Sequence, residues 1–379
     1  MKILLIGEFS RLHNSLKKGL QELGHEVLLI GDGDSFKNYP IDISLAANFI
    51  NRYFIFKKFK NALFRFTSIN LELYETYFRF LKIKKQLKGY DVVQFIHADA
   101  LKMPLKLQLK QIEFLQQHNN KLFLLVCGND YRTVKFLQQK TLKYSVLSPY
   151  FLNNATKKDY RYLLPYAEQK YENYYLKAEA YMQGLIASDI DYLLVLQNHK
   201  KNLGMLPNPV ITADVLPIKP SKKTQIFLGI NRSTKVRKGI SFFEKALEVI
   251  EKKYPNEVEI TVVENIPYQE YIKRYQNCHI FLDMVYAYDQ GYNALEAMAQ
   301  EKVVFTGAEQ EFLEHYALQE DEVCINALPD VAYLVRKLSW LIENPGKIIE
   351  IGENARKFVK SKHDYVKIAK KYIDTWRQP

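Results

Sequence analysis

Tyr288-Asp-Gln-Gly-Tyr-Asn-Ala-Leu-Glu-Ala-Met-Ala299 runs into the short apolar stretch Val303-Val-Phe305. Gly291 opens a run of helical period, and the β-branched and aromatic residues after it read as a buried parallel strand. The first N–H groups of such a helix, from Gly291 to Ala294, have no partner within it and suit a phosphate. Glu296 lies on the next turn, where a carboxylate can accept hydrogen bonds from sugar or ribose hydroxyls. These parts describe half of a nucleotide-sugar site.

Outward from this segment, strand and helix patterns alternate along the 379 residues, as in doubly wound parallel sheets. Residues 2–6 read as the first strand, broken by Gly7, before a helix over 12–23 ended by Gly24 and a second strand over 25–30. Further strands are expected at 91–96, 122–126, 225–229, 257–263, 279–283 and 302–305, with helices at 239–253, 267–276 and 291–300. The proline-rich stretch from Leu206 to Pro220 lacks helical period and reads as an interdomain linker.

A second constellation follows the expected strand Ile226-Phe-Leu-Gly229, where Arg232, Lys235, Arg237, Lys238 and Gly239 precede a long amphipathic helix. With Glu296-Ala-Met-Ala-Gln-Glu-Lys-Val-Val304, it resembles the donor site of retaining glycosyltransferases of family 4. That family has the GT-B fold, two Rossmann-like doubly wound domains facing a cleft. Its donor helix ends a Glu-x7-Glu motif. Glu296 takes the second position and Gly291 the glycine between, whereas Tyr288 replaces the first glutamate, with Asp289 beside it. The family's Gly-Arg and Lys-Gly pairs match Arg232, displaced by two residues, and Lys238.

The resemblance implies that Arg232 and Lys238 hold the donor diphosphate without a metal, and that Glu296 binds the ribose. These three are the expected catalytic set. Gly229, Tyr288, Gly291, Tyr292, Asn293, Ala294 and Leu295 complete the donor pocket. It also implies a domain over 1–215 on the acceptor side, a nucleotide-sugar domain over 216–360, and a last helix over 361–379 crossing back to the first. No cofactor beyond the donor is expected. The opening residues, with Gly24-His-Glu-Val27, and Gly352-Glu-Asn-Ala-Arg356 near the end are similar to the same family.

Acceptor-side candidates sit in loops after first-domain strands, at the carboxyl edge where ligands gather. They are Gly7, Ser10 and His13 after the first strand, His97 after the third, and Asp130 in Cys127-Gly-Asn-Asp130. Ser10 and Asp130 also suit plain N-caps. Asp32-Gly-Asp34 imitates a metal-binding Asp-x-Asp but falls in a loop, where a turn explains it.

The formal charge is +12 and the hydrophobic fraction 47%, so an anionic partner is indicated for a globular chain with no bilayer-spanning run. Between Asn51 and Phe66, aromatics interleave with Arg52, Lys57, Lys58, Lys60 and Arg65. This pattern fits either a helix lying in an anionic membrane interface or a core-facing helix with solvated cations. Nucleic acid is not expected, because the basic residues are spread over both halves and no nucleic-acid motif appears. Cys127, Cys278 and Cys324 lack metal spacing, which points to structural thiols in a reducing cytoplasm. The expected protein is a cytoplasmic glycosyltransferase, peripheral to the membrane, making bacterial surface or lipid-linked glycan. The alternative is an inactive GT-B protein that binds a sugar nucleotide or acts as a membrane-surface scaffold.

Overall fold

Two parallel sheets, one of seven strands and one of five, organise the chain in a computed structural model that describes residues 1–34, 37–212 and 222–378. The first sheet comprises β1 (Lys2–Ile6), β2 (Glu26–Gly31), β3 (Ile43–Ser44), β4 (Val92–Phe95), β5 (Lys121–Val126), β6 (Gly184–Ala187) and β7 (Asn202–Met205). The second comprises β8 (Thr224–Ile230), β9 (Val258–Glu264), β10 (Ile280–Leu282), β11 (Val303–Thr306) and β12 (Ile325–Asn326). Their orders are β3-β2-β1-β4-β5-β6-β7 and β12-β11-β10-β8-β9. Every pairing is parallel. The chain therefore reverses its direction of travel between β1 and β4 and between β8 and β10. Those are the switch points where a doubly wound sheet opens a crevice at its carboxyl ends.

The strands β1, β4, β6, β10 and β11 are largely apolar and buried along nearly their whole length. Helices cover both faces of such sheets, so the strands do not alternate. The last helix, Tyr365–Arg377, belongs to the first core, where Ile368, Ala369, Tyr372, Ile373 and Trp376 join Leu16, Leu20 and Val93. Its closest approach is to the helix Leu12–Glu22, at Gly19. A Cβ there would stand 2.3 Å from the Tyr365 carbonyl oxygen, so only glycine allows this packing. Trp376 also donates its indole N–H to Gln94 at 3.1 Å, satisfying the one polar atom of a large buried side chain.

Much of the expected linker lies outside the described residues. Its described part runs without helix, and Val210 forms a lone parallel bridge to Asp364.

Candidate functional site

The carboxyl edges of the two sheets face each other and are tied across the gap. Arg11 reaches Glu296 at 3.2 Å. The Ser15 and Tyr292 hydroxyls lie 2.5 Å apart, and Tyr292 donates to the Pro209 carbonyl at 3.0 Å. The backbone N–H groups of Tyr288 and Asp289 donate to Asp191, and that of Ile190 donates to Asp289. Glu309, buried after β11, accepts from Lys143 at 2.8 Å, from the Tyr144 hydroxyl and from Asn326. Burial raises the Glu309 pKa, but these three donors outweigh it and hold the carboxyl below its usual range.

The second-sheet edge carries the expected charges at its switch point. The turn after β8 ends at Gly239, whose φ of 66° is left-handed and whose α-carbon lies close against Val285 and Tyr286. A side chain at Gly239 would be strained and crowded. This turn delivers Lys238 to Asp283, the residue just past β10, at 2.7 Å. Asp283 is buried and lies beside Gly291, the N-cap of the helix Tyr292–Met298: a Cβ on Gly291 would stand 3.7 Å from its Oδ2. Lys238, Asp283 and the first turn of that helix thus form one cluster, with Glu296 one turn further on. Asp283 was not singled out from the sequence, although its place at the end of the expected strand 279–283 is the signal that marks it.

Other expected donor residues stand differently. Arg232 is three-quarters exposed and paired with Glu264, and this pairing raises its pKa. Gly229 lies within β8 under the Tyr271 ring, where a Cβ would come within 2.4 Å of it, so its role is in packing. Ala294 and Leu295 are fully buried, leaving only their backbone available to a ligand, while Asn293 is exposed. Tyr288, expected in the sugar pocket, is 1% exposed and accepts a hydrogen bond from the Lys143 N–H at 2.9 Å. It is an interdomain strut, because its ring packs against Tyr144.

Three acceptor-side candidates are engaged by their surroundings. His13 is fully buried, with Nδ1 on the Gly7 carbonyl at 2.8 Å, and burial pushes its pKa down to about 3. His97 is bound on both sides of its ring, by the Asn129 carbonyl and the Asp99 N–H. Asp130 is buried and caps the helix Tyr131–Gln138 by accepting from Thr133 at 2.8 Å. All three brace loops. Ser10 remains at the edge, with its hydroxyl accepting from Lys37 and its backbone donating to Asp34. Gly7, Ser10 and Arg11 are left-handed, which folds this loop tightly above β1. Within the turn Asp32 accepts from the Asp34 N–H at 3.3 Å, and the two carboxylates pair with Lys102 and Lys37.

Sequence reasoning passed over Glu8 in the same loop. Its Oε2 accepts two hydrogen bonds from Asn14, but its Oε1 is buried without a partner. Burial raises its pKa to about 7. It also passed over the trio Asp189, Asp191 and Asp289, which faces itself across the domain interface. Burial, then mutual repulsion, raises Asp189 and Asp191, and burial raises Asp289. Among the described residues, no group of three or more His, Cys, Asp or Glu side chains is arranged to hold a metal ion.

Comparison with known proteins agrees with this architecture. Residues 233–374 match a family described as glycosyl transferase-like. No curated protein matches the chain by sequence. The sucrose-phosphate synthase of Thermosynechococcus elongatus superposes with a TM-score of 0.61 at 15% identity, covering 100% of this chain and 99% of that one. The Anabaena protein HepE, solved with UDP and glucose, gives 0.59 at 12% identity over 100% of both chains. A glycosyltransferase of Rickettsia africae gives 0.57 at 13% identity over 99% and 97%. The fold is therefore that of GT-B glycosyltransferases, two parallel-sheet α/β domains about a cleft.

Proposed function

We propose that this chain is a retaining, metal-independent glycosyltransferase. It would move a sugar from a nucleotide-sugar donor to a hydroxyl acceptor in bacterial surface-glycan or lipid-linked glycan synthesis. The observation that carries the reading is the cluster of Lys238, Asp283 and the Gly291 helix start at the β8/β10 switch point, with Glu296 beside it. Lys238 neutralises the departing diphosphate. Arg232 joins by exchanging Glu264 for phosphate, a geometry a guanidinium matches well. Glu296 takes the ribose hydroxyls while still facing Arg11. The acceptor hydroxyl attacks from the face the donor leaves, and the leaving phosphate takes its proton. HepE, solved with UDP and glucose, supports a uridine donor.

The workplace we propose is the cytoplasmic face of an anionic membrane. The helices Asn48–Arg52 and Phe54–Thr67 bury no residue. At about 100° per residue, Ile55, Phe56, Phe59, Leu63 and Phe66 share one side of the longer helix, while Lys57, Lys58 and Arg65 share the other. Ile55 and Phe66 are 77% and 85% exposed. Such a face in water is unfavourable, and an anionic interface accommodates both its apolar side and its cations. No described helix is long and apolar enough to cross a membrane, so the contact is a surface one.

A thermal-shift panel of UDP, GDP, ADP and their sugar conjugates tests the donor site. Ligand at a hundred times its dissociation constant stabilises by about 2.7 kcal/mol. We expect one base to shift the wild type and Glu296→Ala to reduce that shift and lower turnover by about ten- to a hundredfold. No shift with any nucleotide would refute the transferase reading, and binding without transfer would leave a nucleotide-sugar-binding protein. Flotation tests the membrane: the wild type should rise with phosphatidylglycerol vesicles but not with phosphatidylcholine, and Phe59→Glu with Phe66→Glu should stay in solution. Equal behaviour of wild type and variant would remove the helix from the contact.

A further inference from the structure

The turn after β8 carries four cations, and three are neutralised within the protein. Arg232 pairs with Glu264, Lys235 with Glu244 at 2.7 Å and Lys238 with Asp283. Arg237 differs. Among the described residues its side chain makes no ion pair, and its Nε is buried without a hydrogen-bond partner. Arg237 is half-buried, and a guanidinium held partly out of water with no anion beside it is costly.

Its direction is informative. Val236 packs on the small first-domain cluster of Val134, Leu147, Tyr160 and Leu163. Arg237 lies within electrostatic range of Tyr160 and Tyr192, both first-domain residues. Neither phenol compensates the charge. The Tyr160 hydroxyl donates to the Val146 carbonyl at 2.7 Å, and burial raises the Tyr192 pKa well above its ordinary value, so that phenol stays neutral. The guanidinium is thus sent from the second domain towards the carboxyl edge of the first, while its neighbour Lys238 turns back to Asp283.

We propose that Arg237 is the recognition site for an oxyanion carried by the acceptor, a phosphate or a carboxylate, bound across the cleft from the donor diphosphate. This rests on the transferase reading for the word acceptor, but the anion site itself does not. A phosphate or carboxylate can take two parallel N–H bonds from a guanidinium, which a neutral sugar cannot match. The site explains why this cation is left unpaired while its three neighbours are paired: a built-in carboxylate would compete with the ligand.

The test is calorimetric titration of the full chain, with and without saturating UDP, using inorganic phosphate, glucuronate and glucose. The wild type should bind phosphate or glucuronate in the presence of UDP and should bind glucose at least tenfold more weakly. Arg237→Gln should weaken the anion at least tenfold, Arg237→Lys should weaken it less, and both should leave UDP affinity within twofold. Which anion binds decides between a phosphorylated and an acidic acceptor. Anion binding untouched by Arg237→Gln would overturn the proposal. So would a parallel loss of UDP affinity, which would assign Arg237 to the donor diphosphate, or no anion binding at all. Failure of UDP to bind the wild type would instead strike the transferase reading, with the UDP-free titrations still deciding Arg237.

Discussion

The two sheet edges that face the cleft spend their polar side chains in opposite ways. On the first, His13, His97 and Asp130 are turned inward to hold loop backbone. On the second, Lys238 and Asp283 pair at the switch point beside an open helix start, and Glu296 reaches across to the other domain. A histidine or aspartate just past a strand is therefore not enough to mark a site. What distinguishes the second edge is that its charges converge where two strands diverge and a helix begins. The first edge holds its loops rigid so that Arg11 and the Glu8 loop meet this cluster in a fixed geometry.

The contrast gives a graded set of expectations. Lys238→Ala should lower turnover by about a hundred- to a thousandfold, the scale for removing a group that stabilises a leaving charge. The melting temperature should move little beyond the effect of leaving Asp283 unpaired. Steady-state rates beside a melting curve check this, and near-normal turnover would place the diphosphate elsewhere.

Glu8 supplies the next effect. Its pKa is about 7 in the folded protein against an ordinary 4.5, with burial the main cause. The folded state keeps this proton over that window while the unfolded chain has already released it. Stability therefore falls as pH rises from 4.5 to about 7, by up to about 3 kcal/mol from this group. Glu8→Gln keeps an acceptor for Asn14 and removes the titration, so its melting temperature should fall less over that range. Identical slopes in both proteins would show that Glu8 is solvated and ionised.

Asp130→Ala is the smallest. It removes a helix cap worth about 1 kcal/mol and should lower the melting temperature while leaving UDP affinity unchanged. A large loss of turnover at unchanged stability would return Asp130 to the acceptor site and erase the contrast between the edges.

Much of this molecule is legible without coordinates. Runs such as Ile3-Leu-Leu-Ile6 and Val303-Val-Phe305 can only be interior strands, and eight of the strands fall within a residue or two of their expected places. The four missed strands are short. β3 and β12 have two residues each, β6 is Gly-Leu-Ile-Ala, and β7 is Asn-Leu-Gly-Met, too brief or too mixed to show a period. Lys238, Gly291 and Glu296 could be singled out because each is placed by a local device, a strand-to-helix turn or a helix start.

Two aromatic, basic helices mark where that legibility ends. Phe54–Thr67 and Tyr365–Arg377 have similar amphipathic patterns, yet the first buries nothing and the second is built into the first core. Periodicity shows that a helix has an apolar face, but what covers the face depends on chain returning from far away, here past Gly19. The same holds for Tyr288 and the Asp191–Asp289 contact, whose partners are 145 and 98 residues distant, and for the unpaired state of Arg237. The sequence by itself determined the alternating α/β layout and the positions of the donor-side charges, because local pattern and turn chemistry encode them. Only the tertiary structure decided which polar groups are braces, which are paired across the cleft and which are left open, because burial and pairing arise when distant segments meet.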